Sequence, residues 1–220
     1  MKAKLVGYTQ PVEDTDELGT VQDLIAFCAR VSNPTNQINS ETAEKLIRYL
    51  VKHKHWSPLE MASATLEVET TRDIARQLLR HRSFSFQEFS QRYANPADMG
   101  DMFVIREARL QDTKNRQNSI ENTDAALEDE WANKQLAVLE TAKMAYNWAL
   151  ENGIAKEQAR AVLPEGNTLS RLYVNGTLRS WIHYIELRSA NGTQQEHMEL
   201  AVECGKAISK IFPMAEEFIN

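Results

Sequence analysis

"ATLEVETTRDIARQLLRHR", residues 64–82, changes its apolar period partway along, and that change decides the fold class. Ala64, Leu66 and Val68 alternate with Thr65, Glu67 and Glu69, the pattern of a strand buried on one face. From about Thr71 the period lengthens. Ile74 and Leu78 fall on the core side of a helix, while Arg72, Arg76 and Arg80 share another face. Strand and helix follow one another without regular βαβ alternation, which points to α+β rather than a parallel sheet.

The flanking segments repeat the mixture. Lys4–Thr9 reads as a short strand. Val21, Leu24, Ile25 and Cys28 follow helical spacing, with Asn33-Pro34 as the stop; Ala43, Leu46, Ile47 and Leu50 define a second helix, with Ser40 as its cap. Residues 94–125 are polar, with one short apolar piece at Met102–Ile105, and read as a long, partly mobile excursion of the kind that forms lids and binding loops. A long helix follows with Leu127, Trp131, Val138, Ala142, Ala145 and Ala149 on one face and Gly153 as its stop. Ala155–Leu163 is a short helix ended by Pro164, and "LSRLYV" is a further strand. Thr177 caps a helix carrying Arg179, His183 and Arg188. Thr193 and Glu196 form a capping-box pattern for the last helix, which stops at Pro213. The expectation is a single mixed α/β domain over residues 1–220, with a central sheet flanked by helices.

The net charge of −6 argues against general nucleic-acid binding. The positive charge is local: Arg72, Arg76, Arg80, Arg82 and Arg92 lie in one short segment, which suits a small anionic ligand. No apolar run is long enough for a membrane span and the start does not read as a signal peptide, so the expected compartment is the cytoplasm, or a host cytosol. Cys28 and Cys204 fall on apolar stripes and read as buried small hydrophobes.

Gln77 and Arg80 are spaced to contact one ligand together, and like charges along this helix repel by a few tenths of a kcal/mol per pair. A surface stripe and a ligand site remain the two readings. His53-x-His55 with Glu60 lacks a second cluster at ligand spacing, so no metal site is expected there, and a turn with Trp56 packed is the reading. No glycine-rich nucleotide loop occurs. Ser90 with His81 as base lacks a third orienting group, so Ser90 reads better as a phosphate donor than as a nucleophile. Arg188 at a helix C-terminus has favourable dipole placement whether or not it binds a ligand. The arginines and the aromatics Phe84, Phe86, Phe89 and Tyr93 are also the kit of a single-stranded nucleic-acid module, a reading the acidic net charge opposes.

Arg80-His81-Arg82, seven residues, then Ser90 resembles the R-H-R-x7-S signature of the flavin-dependent thymidylate synthases. "HWSPLE", "ARQLLRHR", "QEFSQRY", "AKEQARAVLP" and "LRSWIHYIELR" resemble further blocks of that family, in the same order. The resemblance runs from about Leu24 to Phe212. It implies an enzyme making dTMP from dUMP, with 5,10-methylenetetrahydrofolate as carbon donor, reduced FAD as hydride donor and NADPH re-reducing the flavin. It also implies a homotetramer with shared active sites. Residue by residue, it assigns FAD to Ser57, Arg80, His81, Arg82, Glu88, Thr177, Arg179 and His183. It assigns dUMP to Gln77, Arg80, Glu88, Ser90, Gln91, Arg92, Arg160 and Arg188, with Arg188 promoting ionisation of uracil N3. The stretch "SANGTQQEH" lacks the His-Ala pair many members carry before the Gln, although Gln194 and Glu196 match. Residue 183 varies between His and Asn in the family, and residues 94–125 do not align, so no folate or NADPH contact is assigned there.

Overall fold

The computed structural model describes residues 1–12 and 18–220. In chain order the elements are β1 (Lys2–Tyr8), α1 (Val21–Ala29), α2 (Ala43–Lys52), β2 (Ser63–Thr71), α3 (Arg72–Leu78), β3 (Ser85–Glu88), β4 (Leu110–Gln111), β5 (Ser119–Ile120), α4 (Ala125–Glu151), α5 (Lys156–Ala159), β6 (Leu169–Thr177), α6 (Leu178–Arg188) and α7 (Gln195–Ser209). The main sheet has the order β1-β2-β6-β3, antiparallel throughout. The mixed helix and sheet composition is as expected.

The alternation in "ATLEVE" is what makes the sheet one-sided. Ala64, Leu66 and Val68 are fully buried, beside Leu172 and Val174 of β6. Their neighbours face outward and pair across the strands. Glu69 lies opposite Arg171 and bonds it, Tyr173 donates to Glu67 at 2.7 Å, and Asn175 to Thr65 at 2.7 Å. Against the apolar face pack Trp181, Ile182 and Ile185 of α6 and Leu200, Cys204 and Ile208 of α7, all fully buried. The indole of Trp181 donates to the Ala64 carbonyl at 3.0 Å, so its one polar atom is satisfied inside the core.

Gly176 is a close-approach glycine. A Cβ there would meet the Phe84 ring at 2.3 Å, and the ring is held by a tilted contact with Trp181, centroids 4.5 Å apart. That contact pins the chain between α3 and β3. β3 itself is not anticipated by the sequence reading, although the aromatic–polar alternation of "SFSFQE" carries it: Phe86 lies opposite Val174.

Several boundaries differ from expectation. α1 ends at Ala29, before Asn33-Pro34. α2 begins at Ala43, with Thr42 rather than Ser40 at the cap position and making no side-chain capping bond; Ser40 contributes its carbonyl, to Ala43. α7 lacks the Thr193–Glu196 capping box; Gln194 is the cap, and the Glu196 carboxylate bonds arginines instead. Residues 94–125 carry a helical turn at Pro96–Met99 and the β4–β5 hairpin. In α4 the buried side chains are Gln135, Leu139, Ala142, Tyr146 and Ala149, while Leu127, Trp131 and Val138 are exposed. The register follows Gln135, which bonds both backbone polar atoms of Arg106 and turns the helix accordingly.

Candidate active site

α3 is short because its last turn tightens. Arg80 and His81 donate backbone bonds to Gln77 and Leu78, and Phe84 to His81. The resulting loop points Arg80 and Arg82 at solvent and His81 at α6. The His81 ring meets Tyr184 edge-on with centroids 5.1 Å apart, and its Nε2 accepts from Arg188 Nε at 3.0 Å. An arginine only donates, so His81 is neutral with its proton on Nδ1. Burial, reinforced by the Arg188 charge, holds its pKa below the ordinary value. Ser180 ties the same loop to α6 by donating to the Ser83 carbonyl at 3.3 Å.

The arginines of the family blocks and the α3 segment divide into two groups. Arg72 and Arg76 share Glu88 and Glu165, Arg92 meets Glu157 at 3.6 Å, and Arg179 meets Glu60. Arg80, Arg82, Arg160 and Arg188 have no carboxylate partner among the described residues. A guanidinium with no internal counter-charge is the group that takes a phosphate as a bidentate partner. These four lie on the α3–β3 loop, just beyond α5 and at the end of α6.

The other residues named by the resemblance are placed as follows. Glu88 is half-buried and already accepts from Arg76 at 3.0 Å and from Ser170 at 3.0 Å. Ser57 opens the helical turn Ser57–Glu60, exposed beside Trp56, whose ring meets His183 with centroids 4.4 Å apart. Thr177 caps α6, accepting from the Ser180 amide at 3.3 Å, as its position in the sequence predicts. Ser90 is half-buried and its carbonyl accepts from Tyr93 and Ala94. The Gln91 side chain is 3% exposed, and its Nε2 has no partner among the described residues.

By the elements that carry them these residues fall into three groups: Ser57, Arg179 and His183, on the Ser57–Glu60 turn and α6; Gln77, His81 and Arg188, where His81 bonds Arg188 and both His81 and Gln77 border His197; and Ser90, Arg92 and Arg160, on the segments after β3 and α5, with Arg92 meeting Glu157 of α5. No hydrogen bond or ion pair among the described residues joins the third group to the second.

A network that the residue patterns did not disclose backs the second group. Glu196, 6% exposed, takes Arg109 on Oε1 and Arg106 on Oε2 at 3.0 Å. Burial pushes its pKa up, but the bond from Arg109 and the Arg106 charge outweigh this and hold it at about 2. Gln194 Nε2 donates to Glu196 Oε2 at 2.9 Å, and Gln77 Nε2 donates to Gln194 Oε1 at 2.7 Å. His197, fully buried, places Nδ1 3.1 Å from Gln77 Oε1. Burial, with the charge of Arg188, pushes its pKa down to about 3. Of its members, Gln77 carried a signal through its spacing with Arg80, and Gln194 and Glu196 as matches to a family block.

The cysteines stand apart from this chemistry. Cys204 is fully buried, and burial pushes its thiol well above the ordinary range; Cys28 is shifted the same way. Neither is poised as a thiolate nucleophile.

Fold and site together define a protein with an anion-binding, aromatic-backed site on an antiparallel sheet. The family model described as thymidylate synthase complementing protein matches residues 15–214. A "Probable flavin-dependent thymidylate synthase" of Paramecium bursaria Chlorella virus 1 is 50% identical over 213 residues, 97% of this chain and 96% of the relative. The flavin-dependent thymidylate synthase of a Synechocystis species is 45% identical over 215 residues, 97% and 96% of the two chains. The solved structure of the UMP/dUMP methylase PolB from Streptomyces cacaoi bound with 5-Br dUMP superposes with a TM-score of 0.80 at 27% identity, covering 99% of this chain and 93% of that one. The chain belongs to the flavin-dependent thymidylate synthase family.

Proposed function

We propose that this protein is the enzyme that converts dUMP to dTMP by reductive methylation, with FAD as its flavin, 5,10-methylenetetrahydrofolate as carbon donor and NADPH as reductant. The observation that carries the reading is that Arg80, Arg82, Arg160 and Arg188, all within the family blocks, have no carboxylate partner among the described residues. FAD, dUMP, NADPH and the folate are all anionic, and unpaired guanidinium groups are suited to them. Bound and reduced, the flavin supplies the hydride.

The chain's own residues do the rest. Arg80, His81 and Arg82, with Ser57, Thr177, Arg179 and His183, hold the flavin. Gln77, Ser90, Arg160 and Arg188 hold the nucleotide; Arg92 and Glu88 contribute from their ion pairs with Glu157, Arg72 and Arg76. Gln91, with its side chain buried, contributes through its main chain. Arg188 faces the pyrimidine, where a fixed cation stabilises negative charge developing on the carbonyl system and favours loss of the N3 proton. His81 accepts from its Nε and leaves its terminal nitrogens for the base.

The assembly in this reading is a homotetramer with sites shared between copies. One observation supports it: α4 exposes Trp131 at 43%, Val138 at 59% and Trp148 at 60%. The whole chain acts as one domain over residues 1–220. The reading places it in the cytoplasm, or a host cytosol; among the described residues no helix is long and apolar enough to cross a membrane.

The experiment is a flavin spectrum of the purified protein, followed by its bleaching with NADPH with and without dUMP, and assay of dTMP. A colourless protein that FAD cannot reconstitute sinks the reading. So does a flavoprotein that makes no dTMP from dUMP and the folate.

A further inference from the structure

Gln77 uses both ends of its amide inside the protein. Its Nε2 donates to Gln194 Oε1 at 2.7 Å and its Oε1 lies 3.1 Å from His197 Nδ1. An amide can reverse its oxygen and nitrogen at little cost, so something must set its direction. Here the far end of the chain does. Glu196 is ionised between Arg106 and Arg109, and a carboxylate only accepts. Gln194 must therefore turn its NH2 to Glu196, which leaves its oxygen for Gln77. Gln77 must answer with its NH2, which leaves its oxygen for His197. His197 must then carry its proton on Nδ1. Every link follows from the acceptor-only carboxylate: reversing the chain would set two acceptors, the Gln194 oxygen and the Glu196 carboxylate, face to face.

We propose that His197 is a positioning residue for nucleotide binding: its buried Nδ1–H closes a one-way hydrogen-bond chain from Glu196 that locks the Gln77 amide in a single orientation. The inference rests on the reading of Gln77 as a nucleotide contact. With one N–H used by Gln194 and one lone pair used by His197, the amide keeps one N–H and one lone pair for the ligand, in a fixed arrangement. Leucine in place of His197 would fill similar space and leave the Gln77 oxygen without its donor. Asparagine would restore it, because its side-chain NH2 reaches close to the position of imidazole Nδ1. Glu196 and His197 are adjacent in the first turn of α7, so one helix start holds both ends of the chain.

The test is dUMP titration into the FAD-loaded enzyme by calorimetry, with flavin content measured alongside. His197→Leu is expected to weaken dUMP about five- to tenfold while retaining flavin, the range for one lost hydrogen bond. His197→Asn is expected to bind within about twofold of the parent. Gln77→Ala reports separately on the underlying reading. If it weakens dUMP while His197→Leu does not, His197 has no positioning role and the Gln77 reading stands. If Gln77→Ala leaves dUMP affinity unchanged, both fall together. Equal weakening in the Leu and Asn variants would reduce His197 to packing and overturn the proposal. Should the Leu variant fail to fold, nitrogen-15 spectra of histidine-labelled parent enzyme decide instead, with His197→Asn giving the assignment. A proton on Nδ1 supports the chain, and a proton on Nε2 breaks it.

Discussion

Arg188 Nε donates to His81 Nε2 at 3.0 Å, joining residues 107 apart in the chain. The bond requires a neutral His81, and both burial and the neighbouring guanidinium favour that state. Protonation of His81 would turn the contact into two opposed donors and free Arg188 to swing. Because the His81 pKa is lowered, the contact is intact at and above the ordinary histidine range and is lost only as pH falls below it. Arg188→Ala is expected to keep the flavin spectrum while lowering the rate of dTMP formation about a hundredfold or more in single turnovers. Full activity in that variant would remove Arg188 from the reaction.

Exposed apolar side chains on α4 lead to a prediction about assembly. Trp131 and Val138 are seven residues apart and Trp148 ten further on, a heptad-like spacing that lies to one side of the buried Leu139 and Tyr146. In Val138→Glu a charge would enter any helix-to-helix seam built on that face. Sedimentation should show smaller species than the parent, with helical content preserved. An unchanged mass would clear this face of a role in association.

Acid stability depends on two buried groups in α7. The His197 pKa falls from 6.5 to about 3 in the folded protein. The unfolded chain therefore takes up a proton below about pH 6.5 that the folded one refuses, so stability is complete above that value and declines toward pH 3. Glu196 falls from 4.5 to about 2, so its contribution is present above the ordinary carboxylate range and is lost from there downward. Urea midpoints should be level above neutrality and decline as soon as pH drops below the histidine range. His197→Asn should flatten the part of the decline that precedes carboxylate titration. A parent midpoint that is level from pH 7 to 5 would contradict this.

Gly176→Ala is expected to be destabilising by about 1–3 kcal/mol, the usual cost of overpacking. The new methyl would overlap the Phe84 ring, which is wedged against Trp181 and cannot retreat into solvent. Chemical denaturation reads the effect directly. Phe84→Leu in the same background should recover part of the loss if the ring is the obstacle.

Much of the fold was legible from local pattern. The alternation at Ala64–Val68, the switch to helical spacing at Ile74 and Leu78, and the cap at Thr177 all appear in the structure as the residues dictate. These features depend on neighbours a few positions away. β3 was harder to see, because only four residues pair and Gly176 across the sheet is what admits Phe84. The buried face of α4 differs from the expected one for a related reason. The helix carries two apolar stripes, and the choice between them was made by Gln135 binding the Arg106 backbone.

By itself, the sequence determined the α+β class, the local concentration of arginine on an acidic chain, and the residue blocks that mark the family. Those are properties of composition and spacing. Tertiary structure alone decided which arginines are neutralised, since an ion pair depends on where distant carboxylates arrive: Glu88 beside Arg72 and Arg76, Glu60 beside Arg179, and, among the described residues, none beside Arg80, Arg82, Arg160 or Arg188. It also decided the direction of the chain from Glu196 to His197. Glutamine and histidine can each donate or accept, and only the packing of a fixed carboxylate against them removes that freedom.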